Sequence, residues 1–300
     1  MIIKESFGDR IVNIVNLVLL TVIFVLVLYP LVYVLSASVS DPMLVSSGQM
    51  WLYPKGLTFE GYRRVFQDPD IMTGYKNTVM YTLIGTSLNL IFTLTAAYAL
   101  SKKRLMGRNV FMLLIAFTMY FSGGLIPTYL MYRNFNWLNT LWVMVVPGLV
   151  GVTNLIIART FFATGISQEL EESAMIDGAS VTRTFIFIVL PLSKPIISVM
   201  ALYYGVGHWN AFFNALIYLT QKERYPLQLV LRGILIENQM KAAMMTSGII
   251  DADDMVIAQV RLASLIRYSV IVVSSLPVIL LYPFLQRYFA KGVMIGAIKG

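Results

Sequence analysis

The sequence predicts an all-α protein with six transmembrane helices. Of its 300 residues, 58% are hydrophobic and only 13% are charged, and the mean hydropathy of +0.73 is well above what a single soluble core requires. Six stretches of 19 to 30 residues contain no charged side chain, and about 20 apolar residues suffice for a helix to cross about 30 Å of hydrocarbon. Because these stretches lack the alternating polarity of barrel strands, helices are the expected spanning structure.

The six predicted spans follow from the positions of the charged residues. Their ranges are 11–40, 77–101, 109–132, 134–158, 195–221 and 268–286. The first is longer than the apolar region of a signal peptide, so we expect it to be retained as a helix. The chain contains no cysteine and a single histidine, which excludes disulfides, thiolate metal sites and histidine-rich metal sites. No metal site is therefore expected.

Basic residues orient the predicted spans. The connection between the second and third spans carries four basic residues and no acid, whereas the next connection carries only Arg133. The four are Lys102, Lys103, Arg104 and Arg108. Short basic loops stay in the cytoplasm, so both termini are predicted to be cytoplasmic, with residues of about 38–74 and 221–262 outside. Membrane orientation then explains the net charge of +8, and no nucleic-acid partner is expected.

The connection between the fourth and fifth spans, about 164–190, is predicted to be a cytoplasmic helix-turn-helix. Ser167 and Ser180 are residues that cap helices, and Gly178 permits a sharp turn with positive φ between the two helices. Acids suit the first turns of a helix, where the dipole favours negative charge. They are Glu169, Glu171 and Glu172. Pro191 and Pro195 are expected to interrupt the second helix where the fifth span starts.

This segment resembles the EAA loop of binding-protein-dependent ABC importers, in which Glu-Ala-Ala, three residues, Gly, an apolar stretch and Leu-Pro follow one another. Ser173 replaces the central alanine, a small-for-small change. The resemblance implies that this elbow inserts into a cleft of a cytoplasmic ATPase chain and transmits its movement to the spans. The residues that it assigns to coupling are Glu171, Glu172, Ser173, Ala174, Asp177, Gly178, Ala179, Leu190 and Pro191. An ordinary amphipathic connector is the alternative.

The resemblance extends over nearly the whole chain. Ser122-Gly-Gly-Leu-Ile-Pro127, Trp209-Asn210 and the tail from Gln286 to Gly300 are similar to carbohydrate permeases of the maltose-permease type. More narrowly, they resemble the branch for oligosaccharides and polysaccharide fragments, which includes alginate-type importers. This implies the type I ABC importer permease fold in a bacterial cytoplasmic membrane. The expected domains are 1–74 with the first span and an external segment, 75–290 as the transmembrane core with the external loop, and 291–300 as a cytoplasmic tail.

The resemblance also implies the partners. The chain has no Gly-x-x-x-x-Gly-Lys-Ser/Thr loop, so no cofactor is expected in it, and ATP and Mg²⁺ would be bound by two separate ATPase subunits. A second, homologous permease subunit would enclose the path with it, and an extracytoplasmic solute-binding protein would deliver the carbohydrate. The expected function is therefore that of a non-catalytic permease subunit, which imports a carbohydrate, expected to be an oligosaccharide, by alternating access.

Polar and aromatic residues inside the spans are candidates for the sugar pathway, because carbohydrates are bound by aromatic faces and by amide or hydroxyl groups. Tyr204, His208 and Phe212 are spaced for one helix face, and the glycine pair at 123–124 allows a break in the third span. The pathway candidates are Tyr120, Tyr129, Tyr204, His208, Trp209, Asn210 and Asn214. The alternative is that such groups hydrogen-bond between helices as packing contacts, which for His208 is the favoured interpretation.

Two other classes of function remain as alternatives. A membrane-embedded transferase could use the carboxylates of Asp251, Asp253 and Asp254 to bind metal, but no second acidic cluster accompanies them to complete a two-metal site. A secondary transporter or channel would couple to ions through buried charges, and no acid lies inside the six predicted spans. Both are disfavoured.

Overall fold

The computed structural model describes residues 7–246, 266–281 and 283, and in these residues all regular structure is helical. The helices are α1 Phe7–Ser38, α2 Pro42–Ser46, α3 Glu60–Gln67, α4 Pro69–Ser101, α5 Arg108–Tyr120, α6 Leu125–Asn134, α7 Trp142–Val145, α8 Val152–Gly165, α9 Gln168–Ile176, α10 Val181–Leu192, α11 Lys194–Trp209, α12 Phe213–Tyr218, α13 Leu227–Thr246 and α14 Ile266–Leu281. The predicted all-α class is confirmed for this part of the chain. Asp251, Asp253, Asp254 and the tail 286–300 lie outside the described residues.

The described residues divide into two compact units, of which the first comprises 7–69, 231–246 and 266–275. In this unit α1 is apolar on all sides, and each of its residues from Phe7 to Leu31 is exposed, as expected of a helix that faces lipid. Its last turn is buried. The following segment, 39–58, returns to its starting point, because the Thr58 amide donates to the Val39 carbonyl at 2.9 Å.

Among the described residues, the second unit comprises 70–230, 276–281 and 283, and α4 organises its core. Every fourth residue of this helix from Asn77 to Ser101 is buried, which is one face of a helix with 3.6 residues per turn. Near the end of α4, Tyr98 packs with Phe162 and Phe185 in one hydrophobic cluster, and Tyr81 belongs to a second cluster nearer its start. The buried face of α4 therefore carries polar and small residues between two apolar clusters.

The charge-free stretches do not all form straight helices. Two described helices, α1 and α4, are by themselves long and apolar enough to cross a membrane, and the number rises to four if each bent pair counts as one span. The third predicted span is such a pair, since the chain bends by 112° between α5 and α6 at the break 121–124. The shorter α14 contains residues 268–281 of the sixth predicted span. The count of six spans stays a prediction.

The fourth and fifth predicted spans contain non-helical backbone. In the fourth, α7 has four residues and α8 has 14, and the residues between them include Pro147 and Gly148, whose φ is +71°. Proline cannot continue the hydrogen-bond ladder, and a glycine in this conformation ends a helix. In the fifth, α11 ends at Trp209 and Phe212 caps α12, so Phe212 does not share a helix face with Tyr204 and His208 as the spacing predicted.

Candidate functional site

The elbow that joins α8 to α11 has the predicted two helices and a glycine turn. Ser167 occupies the N-cap position of α9, although its side chain makes no capping bond, and Ser180 caps α10 by accepting from the Arg183 amide at 3.3 Å. Gly178 has φ +79°, and the amide of Ala179 donates to the carbonyl five residues earlier at 2.9 Å. This is the Schellman arrangement, in which a left-handed residue ends the helix and satisfies its last carbonyls.

The predicted coupling residues of the elbow divide into buried and exposed ones. Glu171 and Ala174 are buried, Ala179 is half-buried, and the exposed ones are Glu172, Ser173, Asp177 and Gly178. Sequence reasoning missed Ile176, which is 87% exposed beside the turn. An isoleucine next to Asp-Gly in a polar segment is the pattern that could have indicated it, because a large apolar side chain at an exposed turn is suited to contact another protein.

The second arm of the elbow continues through the first of its two prolines and ends before the second. Residues Phe185–Val189 form a π-helical turn inside α10, and the helix continues through Leu190 and Pro191 to Leu192. The interruption expected from Pro191 and Pro195 falls between these two prolines, because α10 ends at Leu192 and the chain bends by 82° before α11 begins at Lys194. A π turn widens the backbone ahead of the proline, which relieves the clash between its ring and the carbonyl four residues earlier.

Tyr204, a pathway candidate, joins α11 to two other segments. Its side chain is buried, and its hydroxyl lies 2.7 Å from Thr93 Oγ1 of α4 and accepts from the Gly151 amide at 3.0 Å. The hydroxyl therefore satisfies the backbone at the start of α8. This position favours the packing interpretation of Tyr204 over a role in contacting sugar.

His208 lies one turn further along α11 and meets Asn89 of α4. The Asn89 amide donates to the Gly148 carbonyl at 3.2 Å and to the Leu149 carbonyl at 2.8 Å, and its Oδ1 is 2.7 Å from His208 Nε2. Since the amide hydrogens are used on the carbonyls, Oδ1 must accept, and Nε2 carries the proton. Gly85 leaves room for the imidazole, because a Cβ there would overlap the ring. We call the set Gly85, Asn89, Thr93, Tyr204 and His208 the polar seam.

The spacing of small and polar residues in the sequence indicates the α4 side of the polar seam. Gly85, Asn89 and Thr93 are spaced by four in a charge-free stretch, so that they share one helix face. Polar residues within such a stretch face protein rather than lipid. Their hydrogen-bond partners, however, are 59 to 119 residues away along the chain, and spacing alone cannot identify them.

The remaining pathway candidates are not gathered in one place. Trp209 is buried and packs edge-on against Tyr75, with ring centroids 5.7 Å apart. Asn210 ends α11 and bonds to the Val206 carbonyl at 3.0 Å. The other three lie elsewhere: Tyr129 stacks on Tyr218, Asn214 is half-buried in α12, and Tyr120 at the end of α5 is 82% exposed.

Comparison with known proteins decides the family. The chain is 38% identical to the protein LplC of Bacillus subtilis over 98% of its own length and 96% of that protein. It is 37% identical to YtcP, the polygalacturonan/rhamnogalacturonan transport permease of the same organism, over 90% of this chain and 92% of YtcP. The chain belongs to the carbohydrate ABC-transporter permeases. No family model matches the chain.

The fold agrees with this permease family. A chain from the crystal structure of a bacterial ABC transporter for import of the acidic polysaccharide alginate superposes with a TM-score of 0.83 and 34% identity, covering 95% of this chain and 99% of that one. A permease subunit of this family is non-catalytic, and ATP hydrolysis resides on separate subunits. Two side chains remote in sequence bond to the non-helical residues 146–151: Asn89 donates to the carbonyls at 148 and 149, and Tyr204 accepts from the amide at 151.

Proposed function

We propose that this permease imports an oligosaccharide or a polysaccharide fragment across the bacterial cytoplasmic membrane. The observation that carries the proposal is its near full-length similarity to YtcP, named for polygalacturonan and rhamnogalacturonan, and to the alginate importer, at 37% and 34% identity. Two relatives named for long, acidic saccharides make such a chain a better candidate than a monosaccharide. The chain acts in this proposal as one of two homologous permease subunits, with two ATPase subunits and an extracytoplasmic binding protein.

The proposed mechanism is alternating access driven through the elbow. ATP binding closes the two ATPase subunits, the elbow moves with them, and the spans open toward the binding protein, which releases its sugar into the path. The exposed side chains of Glu172 and Ile176 and the turn at Gly178 form the surface proposed to enter the ATPase. Because α10 leads into α11 through a single bend, displacement of the elbow acts on the fifth span.

The proposed topology has six spans with both termini in the cytoplasm. The α8 helix is about 21 Å long at 1.5 Å per residue, which is short of the hydrocarbon thickness, so the fourth span includes α7 and the non-helical residues 146–151. The cysteine-free chain allows a direct test with single cysteines. In intact cells, cysteines at Gln49 and Lys222 should react with an impermeant thiol reagent, and those at Lys103 and Thr182 should react only after lysis.

The function is tested by purifying the chain with its neighbouring gene products. An ATPase and a second permease should copurify, and proteoliposomes with the binding protein should take up acidic oligosaccharides only when ATP is inside. Uptake that persists with an inactivated ATPase would show that the chain is a secondary transporter or channel instead. Uptake of monosaccharides alone would contradict the proposed substrate class.

Coupling through the elbow has its own test. Glu172→Lys reverses the exposed charge and should lower the amount of copurified ATPase at least about tenfold, because the lysine would repel the basic group on the ATPase that the carboxylate is proposed to meet. Glu169→Lys makes the same change at an exposed acid one turn earlier on α9, outside the EAA pattern, and should leave the complex intact. Equal behaviour of the two variants would contradict the role of Glu172.

The pathway proposal is narrower than the sequence suggested. Tyr120 is the candidate with a free aromatic face, whereas the hydroxyl of Tyr204 is used within the chain. Tyr120→Ala should reduce sugar uptake while the complex assembles normally. Normal uptake by that variant would remove Tyr120 from the path.

A further inference from the structure

The two adjacent acids of the elbow point in opposite directions. Glu172 is exposed, whereas Glu171 is 5% exposed and its carboxylate forms an ion pair with the ammonium group of Lys102. Lys102 directly follows the last residue of α4, and its side chain is 18% exposed. The acid that lies inside is therefore bound to the end of α4, whereas the acid that lies outside is exposed and accepts a bond only from Gln168 of its own helix, at 2.8 Å, among the described residues.

Tyr98 joins both arms of the elbow to the same point on α4. The Lys102 ammonium lies 4.0 Å from the centroid of the Tyr98 ring, a cation–π contact. On the side of the second arm, Tyr98 stacks on Phe185 in the π turn of α10, with centroids 4.7 Å apart. Glu171 holds the first arm through its carboxylate, and Phe185 holds the second arm through its ring. Both contacts are made at the carboxyl end of α4.

The helix before the elbow is tied to the same place. Arg159 of α8 donates from Nε to the Leu100 carbonyl at 3.0 Å, and a cation is favourable at a helix C-terminus. Phe162, one turn further along α8, packs edge-on against Tyr98 at 5.8 Å. The carboxyl end of α4 is thus connected to α8, α9 and α10.

We propose that Tyr98, Lys102 and Glu171 form a latch that makes the elbow and α4 move as one body. A stroke delivered to the elbow then displaces the second predicted span together with the fifth, instead of being absorbed by a hinge between α9 and α4. Lys102 and Glu171 are positioning residues in this proposal, since they contact neither sugar nor nucleotide. The latch rests on the proposed coupling role of the elbow.

Paired and single replacements separate a latch from a pair that only stabilises the fold. Lys102→Met or Glu171→Gln alone leaves a buried charge without its partner, which is strongly destabilising, whereas replacing both can leave stability unchanged. The double variant should therefore assemble and melt like the parent complex. If the pair is a latch, the double variant should nevertheless transport at least about fivefold less sugar per ATP hydrolysed. Lys102→Arg keeps the charge and should retain the parental ratio.

A cross-link tests the movement directly and does not depend on the stability of the neutral pair. The chain has no native cysteine, and a cavity of about 210 Å³ beside the pair is lined by both residues, so Lys102→Cys/Glu171→Cys can be bridged by a short bifunctional thiol reagent. If the elbow and α4 move together, the bridged complex keeps its sugar-dependent ATPase activity and its uptake in proteoliposomes. Mass spectrometry of this subunit verifies the bridge.

Two results would overturn the latch. One is a double neutral variant with the parental ratio of sugar to ATP. The other is a bridged complex that loses transport while the same variant, labelled at each cysteine by a monofunctional reagent, keeps it. Failure of the proposed function is distinguishable, because the unmodified parent complex would then show no ATP-dependent sugar uptake.

Discussion

Gly85 of the polar seam leads to a prediction in which the sign of a mutational effect depends on a second residue. Alanine is normally more stable than glycine in a helix interior, by about 0.8–1 kcal/mol. At this position, however, an added Cβ would lie 2.5 Å from His208 Cε1 and 2.8 Å from Cδ2, far inside van der Waals contact. The imidazole cannot simply move away, because its Nε2 is bonded to Asn89.

The magnitude follows from three contributions. Overpacking a tight core costs about 1–3 kcal/mol, and loss of the interhelical hydrogen bond costs about 0.6–1.7 kcal/mol inside a membrane. The helix propensity of alanine offsets about 0.8–1 kcal/mol. Gly85→Ala should therefore destabilise the permease by roughly 1–4 kcal/mol. In a His208→Ala background the clash is absent, and the same substitution should be neutral or stabilising.

The assay is the temperature at which half of the purified complex remains monodisperse after heating. Gly85→Ala should lower it by roughly 3–10 °C, and it should not lower it further when His208 is already alanine. Gly205→Ala on α11 is the matched control, because its Cβ would meet Thr86 Oγ1 at an ordinary 3.7 Å. Equal destabilisation in both backgrounds, or none in either, would refute the seam geometry.

Three further predictions concern the elbow, a loop and the seam. Gly178→Val places a β-branched residue at φ +79°, which costs about 1–2 kcal/mol. This variant should copurify with less ATPase, whereas Gly178→Asn should be tolerated. Asn139 accepts from the backbone amides at 220 and 221 at 2.6 and 3.3 Å, so Asn139→Ala should speed proteolysis of this loop while Asn139→Asp should not. Tyr204→Phe removes a hydroxyl with two partners and should lower the stability of the complex by about 1–3 kcal/mol, while sugar selectivity stays unchanged. Altered selectivity at parental stability would place Tyr204 in the path.

The elbow could be predicted in detail because its signals are local. Ser180 at its N-cap position and Gly178 at the turn act on backbone within five residues, so that the printed sequence contains both partners of each interaction, whereas Ser167 occupies its N-cap position without a capping bond. The continuation of α10 past Pro191 was not foreseen. It depends on the π turn at 185–189, which has no comparably simple residue code.

The spans are less predictable from the sequence. An uncharged stretch shows that the chain can lie in lipid, but it does not show that the stretch forms one continuous helix. Pro147-Gly148 lies inside a charge-free stretch of 25 residues, and the backbone there is not helical. Such a break is stable only if remote groups satisfy its carbonyls, and Asn89 lies 59 and 60 residues away in sequence. The same distance effect hid the pair of Lys102 and Glu171, 69 residues apart, each of which looked like an ordinary loop or helix-terminal charge.

The polar seam also has a consequence for biosynthesis. Asn89 and Thr93 leave the ribosome with α4, but their partners His208 and Tyr204 are 119 and 111 residues further along the chain. At about 5–20 residues per second, those partners are synthesised roughly 6–24 s later. During this interval α4 enters the membrane with unpaired polar groups on one face. Because such groups are costly in lipid, we expect α4 to stay beside another protein until the later helices have been synthesised.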